Sequence, residues 1–334
     1  MNKTPKLFIL AGAVLASLFL FVSIVYNNFV QKSIYEENSR HLLSTYEQVD
    51  KTFTMFVQHN WNALSDWSNN LQYLDDAENM KTLWYDFARR KDAWQYQDFY
   101  MFNENCDFIT AAGRDGNAPN IQGIFLDMYE TGQPVISSYI ASDSNRRIVF
   151  ALPMDVPYTI NGITYSGLAV SYNNDVVEKL IAGNIYQGQS DCYILTSDGN
   201  VLLSLEPKTE FLQKISNLFD FLNKYTNMTE TEITDLKKNI KNVSTGSLQC
   251  RYNNKNYYLV YEPTGINDWT IVGIIHDDVV DASMRRIQSI TIVLLLILNG
   301  CIALLLTGTV FALMDSRLRM KEHEQMILLK RKEL

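Results

Sequence analysis

Apolar and polar positions divide the chain into three stretches. Two uncharged apolar runs, Leu7 to Val25 and Ile287 to Met314, the second interrupted near its start by Gln288, bracket a charged middle of about 260 residues. Each run reaches the roughly 20 residues a helix needs to cross hydrocarbon, and neither holds a Lys, Arg, Asp or Glu that would oppose insertion. The pattern therefore predicts two transmembrane helices. Lys3 and Lys6 precede the first run, and Arg317, Arg319 and Lys321 follow the second. The positive-inside rule then puts both termini in the cytoplasm and residues 28–286 outside. Arg285 and Arg286 oppose this from the outer flank, but a long translocated domain is little constrained by its own charges. A cleaved signal peptide would have a shorter core and a small-x-small site. The Ser23 to Asn27 stretch has none, so the first run reads as an uncleaved anchor. Gly12 with Ala16, and Gly308 with Ala312, have the spacing that lets helices approach closely in lipid, and Asn299 can donate a hydrogen bond between them.

After the first run the period becomes helical. Leu42, Tyr46, Val49, Phe53, Phe56, Trp61, Leu64, Trp67, Leu71 and Leu74 recur every three to five residues, one apolar stripe on a helix continuous with the first span. Strand signals follow, and they occur twice. Asp98 to Phe102 turns through Asn103-Glu104-Asn105 into Asp107 to Thr110. Asp191 to Leu195 turns through Ser197-Asp198-Gly199-Asn200 into Val201 to Leu203. Further strand signals are Pro134–Tyr139, Ile148–Leu152 and Ser166–Ser171 in the first copy, and Gly246–Tyr252, Asn256–Tyr261 and Trp269–Ile275 in the second. Each copy ends on an acceptor side chain ahead of an apolar helical start, Asn173-Asn174-Asp175-Val176-Val177 and His276-Asp277-Asp278-Val279-Val280. The reading is α+β: a long N-terminal helix and two tandem five-stranded antiparallel sheets, flanked by the two spans. The second copy carries the larger helical insert, Phe211 to Lys241, with a patch of Leu218, Phe221, Leu222 and Tyr225 and a capping-box spacing at Thr229 and Glu232.

Charge narrows the partners. Residues 28–286 hold 33 acidic and 21 basic side chains. An acidic ectodomain repels phosphate, and there is no Lys/Arg stripe with interleaved aromatics, so nucleic acid is excluded as a partner. Cys106, Cys192 and Cys250 form an odd exported set without metal-ligand spacing, and they read as small core hydrophobes, with a Cys192 to Cys250 bridge left open. No catalytic residues, metal site or cofactor can be assigned, because no P-loop, Gly-rich nucleotide fingerprint, His-Glu-x-x-His or Gly-x-Ser-x-Gly is present. His41, His59 and His276 read as solvated. His323 precedes Glu324, as a phosphoacceptor would, but Gln325-Met326-Ile327 follows and no ATP-binding domain does, so that segment reads as a signalling helix with Leu318, Leu328 and Leu329 available for a dimer seam.

The long helix, the two PAS-like sheets, and Tyr257-Tyr258-Leu259-Val260-Tyr261-Glu262-Pro263 leading through Asp268-Trp269-Thr270-Ile271-Val272-Gly273 to the second span resemble the double Cache sensor region of bacterial transmembrane receptors. The similarity covers about residues 28–286 and is in particular to such regions on sensor histidine kinases and diguanylate cyclases of gut Firmicutes. It implies a membrane-distal module that binds a small extracytoplasmic solute and a proximal one that relays. Family members that bind amino acids carry Arg-x-Trp-aromatic in the distal module; the nearest run here, Lys91-Asp92-Ala93-Trp94-Gln95-Tyr96, lacks that arginine.

The expected organisation is a cytoplasmic tip and first span (1–27), a long helix with its packing region (28–90), the distal module (91–182), the proximal module (183–286), the second span (287–314) and a cytoplasmic signalling helix (315–334). Trp94, Tyr96, Tyr100, Arg114, Asp115, Tyr139, Asp155 and Tyr172 lie on or beside the first predicted sheet and are the candidate ligand-binding residues. Aromatic walls with a few fixed charges suit a small polar solute. Arg146 and Arg147, in Ser144-Asn145-Arg146-Arg147, read as a solvated turn. The functional expectation is the input half of a homodimeric sensor histidine kinase acting on a response regulator, or of a diguanylate cyclase. The ending in mid-helix at Lys332-Glu333-Leu334 reads as a cut before the output domain. An exported binding or adhesion protein with two anchors and no output is the rival from another class.

Overall fold

A computed structural model describes residues 4–71, 82, 89–91, 94–118, 122–141, 143, 145–181, 185–204 and 215–332. Leu74, Asp92, Ala93 and Phe211 lie outside the described residues, as do the side chains of Gly12, Ala16, Arg285, Arg286, Leu328 and Leu329.

Helix α1, Thr4–Leu71, is a single helix, in keeping with the uninterrupted rod that the stripe predicts. Leu42, Tyr46, Val49, Phe53, Val57, Leu64 and Leu71 on it are buried. Residues at i, i+4 and i+7 share one helix face, so this row is a continuous apolar ridge, and the ridge serves both sheets.

The first sheet is built from β1 (Asp98–Phe102), β2 (Asp107–Thr110), β3 (Asp115–Asn117), β4 (Val135–Ile140), β5 (Arg146–Ile160) and β6 (Ile163–Asn173), in the order β3-β2-β1-β6-β5-β4 and antiparallel throughout. It has six strands where the sequence predicts five. The extra strand, Asp-Gly-Asn at the edge, has no apolar residue and hence no strand signal. Strands β5 and β6 also run well past the predicted segments. They join through Asn161-Gly162, whose φ values of 51° and 82° are those of a type I′ hairpin turn. Helix α2, Gln122–Thr131, lies on one face of this sheet with Phe125 and Met128 buried, and Phe125 stacks on Phe102 at 3.6 Å between ring centroids. After β6 comes helix α3, Asn174–Ile181.

The second sheet has the five strands predicted: β7 (Ser190–Leu195), β8 (Val201–Ser204), β9 (Gly246–Tyr252), β10 (Lys255–Pro263) and β11 (Thr270–His276), in the order β8-β7-β11-β10-β9. Helices α4 (Leu218–Tyr225) and α5 (Glu230–Lys241) cover one face. The predicted capping box forms, with Thr229 and Glu232 satisfying each other's backbone N–H. Leu218 and Leu222 are buried as the insert's apolar patch requires, with Phe219 beside them, whereas Tyr225 stays 51% exposed.

Register assigns side chains to faces, because successive residues of a strand point opposite ways. Cys250 is in the cluster under α4 and α5 with Tyr193, so Cys192, next to Tyr193, points to the opposite face. The two cysteines are also separated by β11 and β10, and a disulfide cannot span that distance. Both are free, as is Cys106, and all three are buried.

Helix α6, Asp277–Lys332, follows β11 directly. Among the described residues, Ser289–Ile327 is the one segment long and apolar enough to cross a membrane. Asn299 Nδ2 donates to Ser23 Oγ of α1 at 3.2 Å, the interhelical hydrogen bond anticipated for this residue.

Candidate ligand-binding cleft

The face of the first sheet turned away from α1 has two ends. At one end Tyr100, Phe102, Phe125, Met128, Val149, Ala151 and Ala169 pack together under α2. At the other, the same strands present polar residues: Asp98 pairs with Ser171, Arg147 with Asn173, and Tyr139 with Arg147. This polar end borders an open cleft of about 640 Å³. That volume falls within the range of small-molecule sites.

Charge in the cleft is organised around Asp98. Arg114 Nη2 donates to Asp98 Oδ1 at 2.7 Å and Arg147 Nη1 to Asp98 Oδ2 at 3.1 Å, while Arg147 Nη2 donates to Asp143 Oδ2 at 2.7 Å. The Arg147 side chain is 12% exposed and Asp98 18%, against 68% for Arg114, so the buried arginine is fixed and the outer one is free to move. A backbone N–H from Asn145, and Arg147 after it, hold the Asp143 carboxyl below the usual range. Burial, with Tyr139 and Asp98 adding to it, pushes the Tyr100 phenol well above its usual value, so the hydroxyl stays protonated.

Local structure explains these positions. Thr110 Oγ1 accepts from Arg114 N at 3.0 Å and donates to Arg114 O at 3.1 Å, closing a tight turn in which Gly113 takes φ +75°. That turn brings Arg114 back over β1. On the far side, Ala141 N donates to Asn145 O at 2.9 Å and closes the β4–β5 turn carrying Asp143. Asp143, Arg147 and Tyr139 thus form one wall, and Thr110, Arg114, Asp115 and Asn117 the other.

Of the eight residues expected to bind ligand, the structure brings Tyr100, Arg114, Asp115 and Tyr139 to this cleft. Trp94 and Tyr96 line a separate apolar pocket of about 20 Å³ against α1, with Asn60, Leu64, Trp67 and Phe99, which has room for about one water. Tyr172 pairs with Ile148 on the α1 side of the sheet and is 2% exposed; its hydroxyl donates to Asn60 Oδ1 at 2.8 Å, and its ring lies 5.2 Å from Phe56. Asp155 is exposed in β5, near the register shift between Pro153 and Tyr158, and borders neither cavity.

The residues missed are Asp98, Asp143 and Arg147, and Arg147 corrects the expectation of a solvated turn. Strand β5 starts at Arg146, so both arginines lie in the ladder. Arg147 points into the cleft. Arg146 points to the second sheet, where its Nη1 donates to Val201 O at 2.6 Å and Leu202 O at 2.9 Å. Asn174 Nδ2 donates to Ser204 O, and Asn267 Nδ2 to Ile136 O, at the same junction.

The histidines lie elsewhere. His41 and His59 are exposed on α1, His41 bonded to Tyr186 Oη at 2.8 Å. His276 is only 20% exposed rather than solvated, and its Nδ1 accepts from Asp278 N at 3.1 Å at the start of α6.

No protein-family model matches the chain, and no curated protein matches it in sequence. Its fold is that of ligand-binding sensory domains. It is similar to the sensory domain of the Campylobacter jejuni chemoreceptor Tlp3 with isoleucine bound (TM-score 0.51, 10% identity, 76% of this chain and 98% of that one). It is also similar to the ligand-binding domain of the Pseudomonas aeruginosa amino-acid chemoreceptor PctB in complex with L-Arg (TM-score 0.54, 12% identity, 75% and 92%). A third likeness is to the extracellular domain of a protein described as a histidine kinase (TM-score 0.51, 13% identity, 72% and 98%). At these identities the likeness is one of architecture, the Cache-type arrangement of a long helix and two sheets.

Proposed function

We propose that the chain is the extracytoplasmic input and transmembrane part of a bacterial sensor receptor, with its ligand in the cleft of the first sheet. The observation that carries this reading is the Arg114–Asp98–Arg147–Asp143 chain of ion pairs lining an open cavity on a sensory-domain fold. Alternating cations and carboxylates beside Tyr100 and Tyr139 suit a small polar solute bearing charge of both signs, because each ligand group can replace an internal partner as it docks. Arg147 and Asp98 then form the fixed floor, and Arg114 the movable rim.

In this reading residues 91–182 are the membrane-distal module and 183–286 the proximal one, 1–27 and 287–314 carry the spans, and both termini are cytoplasmic. Two such chains pair, and α6 delivers the signal to a histidine kinase or diguanylate cyclase output. A helix leaving β11 without a break supports this, since it converts a shift of the sheet into a shift of the helix.

The test is a thermal-shift screen of the purified chain in detergent against small charged solutes, since a ligand bound only by the folded state raises Tm by mass action. A hit is expected to lose its shift in Arg114→Ala, whose side chain is mostly exposed and dispensable for folding. A hit whose shift survives Arg114→Ala and Asp98→Asn, but disappears on changes in the second sheet, would overturn the placement. Reading the gene beyond Leu334 into a kinase or cyclase frame discriminates the outputs.

A further inference from the structure

Three carboxylates sit where α1 crosses the second sheet, beside the aromatic contacts that Tyr46 and Phe53 make with it. Tyr46 lies against Gly273 of β11, a position with no room for a Cβ, and Phe53 stacks on Trp269 at 6.3 Å. Asp50 falls between Tyr46 and Phe53, at i+4 from the first, and therefore on the same helix face. Its Oδ1 is buried without a hydrogen-bond partner. Glu262 of β10 pairs with Ile271, two residues before Gly273 on β11. Tyr261 is in the cluster under α4 and α5, so Glu262 points the other way, towards α1. Glu47 is one turn from Asp50.

Among the described residues, the charges facing Glu262 are few and mostly of its own sign. Helix α1 brings Glu47 and Asp50, together with Lys51, whose Nζ is bonded to Glu47 at 2.7 Å and whose side chain is 65% exposed. Strand β11 brings Ile271, which has no charge, and β9 ends its pairing with β10 at Tyr261, short of Glu262. Among the described residues, the cation on this stretch of α1, Lys51, is bonded to Glu47.

We propose that this contact is an acid-responsive clasp: proton uptake by Glu262 seats α1 on the second sheet, and proton loss as pH rises sets three carboxylates against one another and loosens the seat. Burial first, then the charges of Asp50 and Glu47, push the Glu262 carboxyl from 4.5 up to about 7. Burial also raises Asp50, against the opposing effects of Thr54 and Lys51. The folded-state value of Glu262 lies above the unfolded one, so its proton-linked stabilisation is complete below about pH 4.5 and disappears as pH rises through about 7. Because α1 is the same helix that begins at Thr4, the clasp gives protons a route to the helix separate from the cleft.

The test is amide hydrogen exchange of the full chain in detergent at pH 6 and pH 8, corrected for intrinsic exchange, read on peptides covering residues 44–57. The wild type is expected to be several-fold better protected there at pH 6. Glu262→Gln is expected to abolish the difference and hold pH 8 protection at the pH 6 level. Asp50→Asn, which leaves Glu262 with one fewer repelling charge, is expected to move the midpoint of the transition to lower pH, since with less repulsion the carboxyl gives up its proton earlier. Equal wild-type protection at both pH values overturns the clasp, and so does a pH difference that persists undiminished in Glu262→Gln.

Discussion

Apart from the edge strand β3, the two sheets share strand order and direction, but they differ in what covers the face away from α1. In the second, α4 and α5 close it over Tyr193, Leu195, Leu259, Tyr261, Val272 and Ile274. In the first, α2 covers only the Phe102 end, and the Asp98–Arg147 end is left open. One scaffold thus gives a sealed module and an open one, depending on whether the residues along the inner face stay apolar to the end of the strands. A filled face moves as a unit; an open one can be changed by what enters it.

Substitutions can break or sharpen that contrast. Leu222→Ala, at a fully buried position under the second sheet's helices, should lower stability in chemical denaturation by about 2 to 5 kcal/mol through transfer and cavity effects. Ligand affinity of the folded fraction should not change, and a selective loss of affinity would mean that the sealed module is part of the site. Arg147→Met should cost about 2 to 3 kcal/mol, since it leaves Asp98 and Asp143 without their inner partner. Adding Asp98→Asn should recover part of that loss, and a strictly additive double mutant would deny the coupling. Thr229→Ala should cost about 1 kcal/mol by removing an N-cap, measurable as a drop in denaturation midpoint. Arg114→Ala should change stability by less than about 1 kcal/mol, because its ion pair is solvated, yet remove solute binding in titration calorimetry.

Much of the fold was legible in the sequence because its signals are local. The α1 stripe, both β-hairpins, the helix starts at Asn174 and Asp277 and the Thr229–Glu232 box each depend on residues within a few positions of one another. Strand β3 was hidden because Asp115-Gly116-Asn117 owes its place to pairing with β2 rather than to its own propensity. The Asn161-Gly162 turn was available as a hairpin signal and would have extended β5 and β6 to their observed lengths.

The site was half legible. Tyr100, Arg114, Asp115 and Tyr139 could be placed near the sheet, but which face each occupies depends on long-range register. Alternation in β6 held a usable clue: Leu168, Val170 and Tyr172 are large and apolar, whereas Ala169, Ser171 and Asn173 are small or polar. Following it would have put Tyr172 on the helix side. Arg147 is not legible as a site residue, because a charged pair after Ser144-Asn145 has the pattern of a turn and only the ladder with β4 and β6 turns it into the cleft.

Arg146 and Arg147 are consecutive on β5, one gripping the carbonyls of β8 and the other the carboxylates of the cleft. Two neighbouring side chains thus tether the wall of the cleft and the edge strand of the other sheet to a single stretch of backbone.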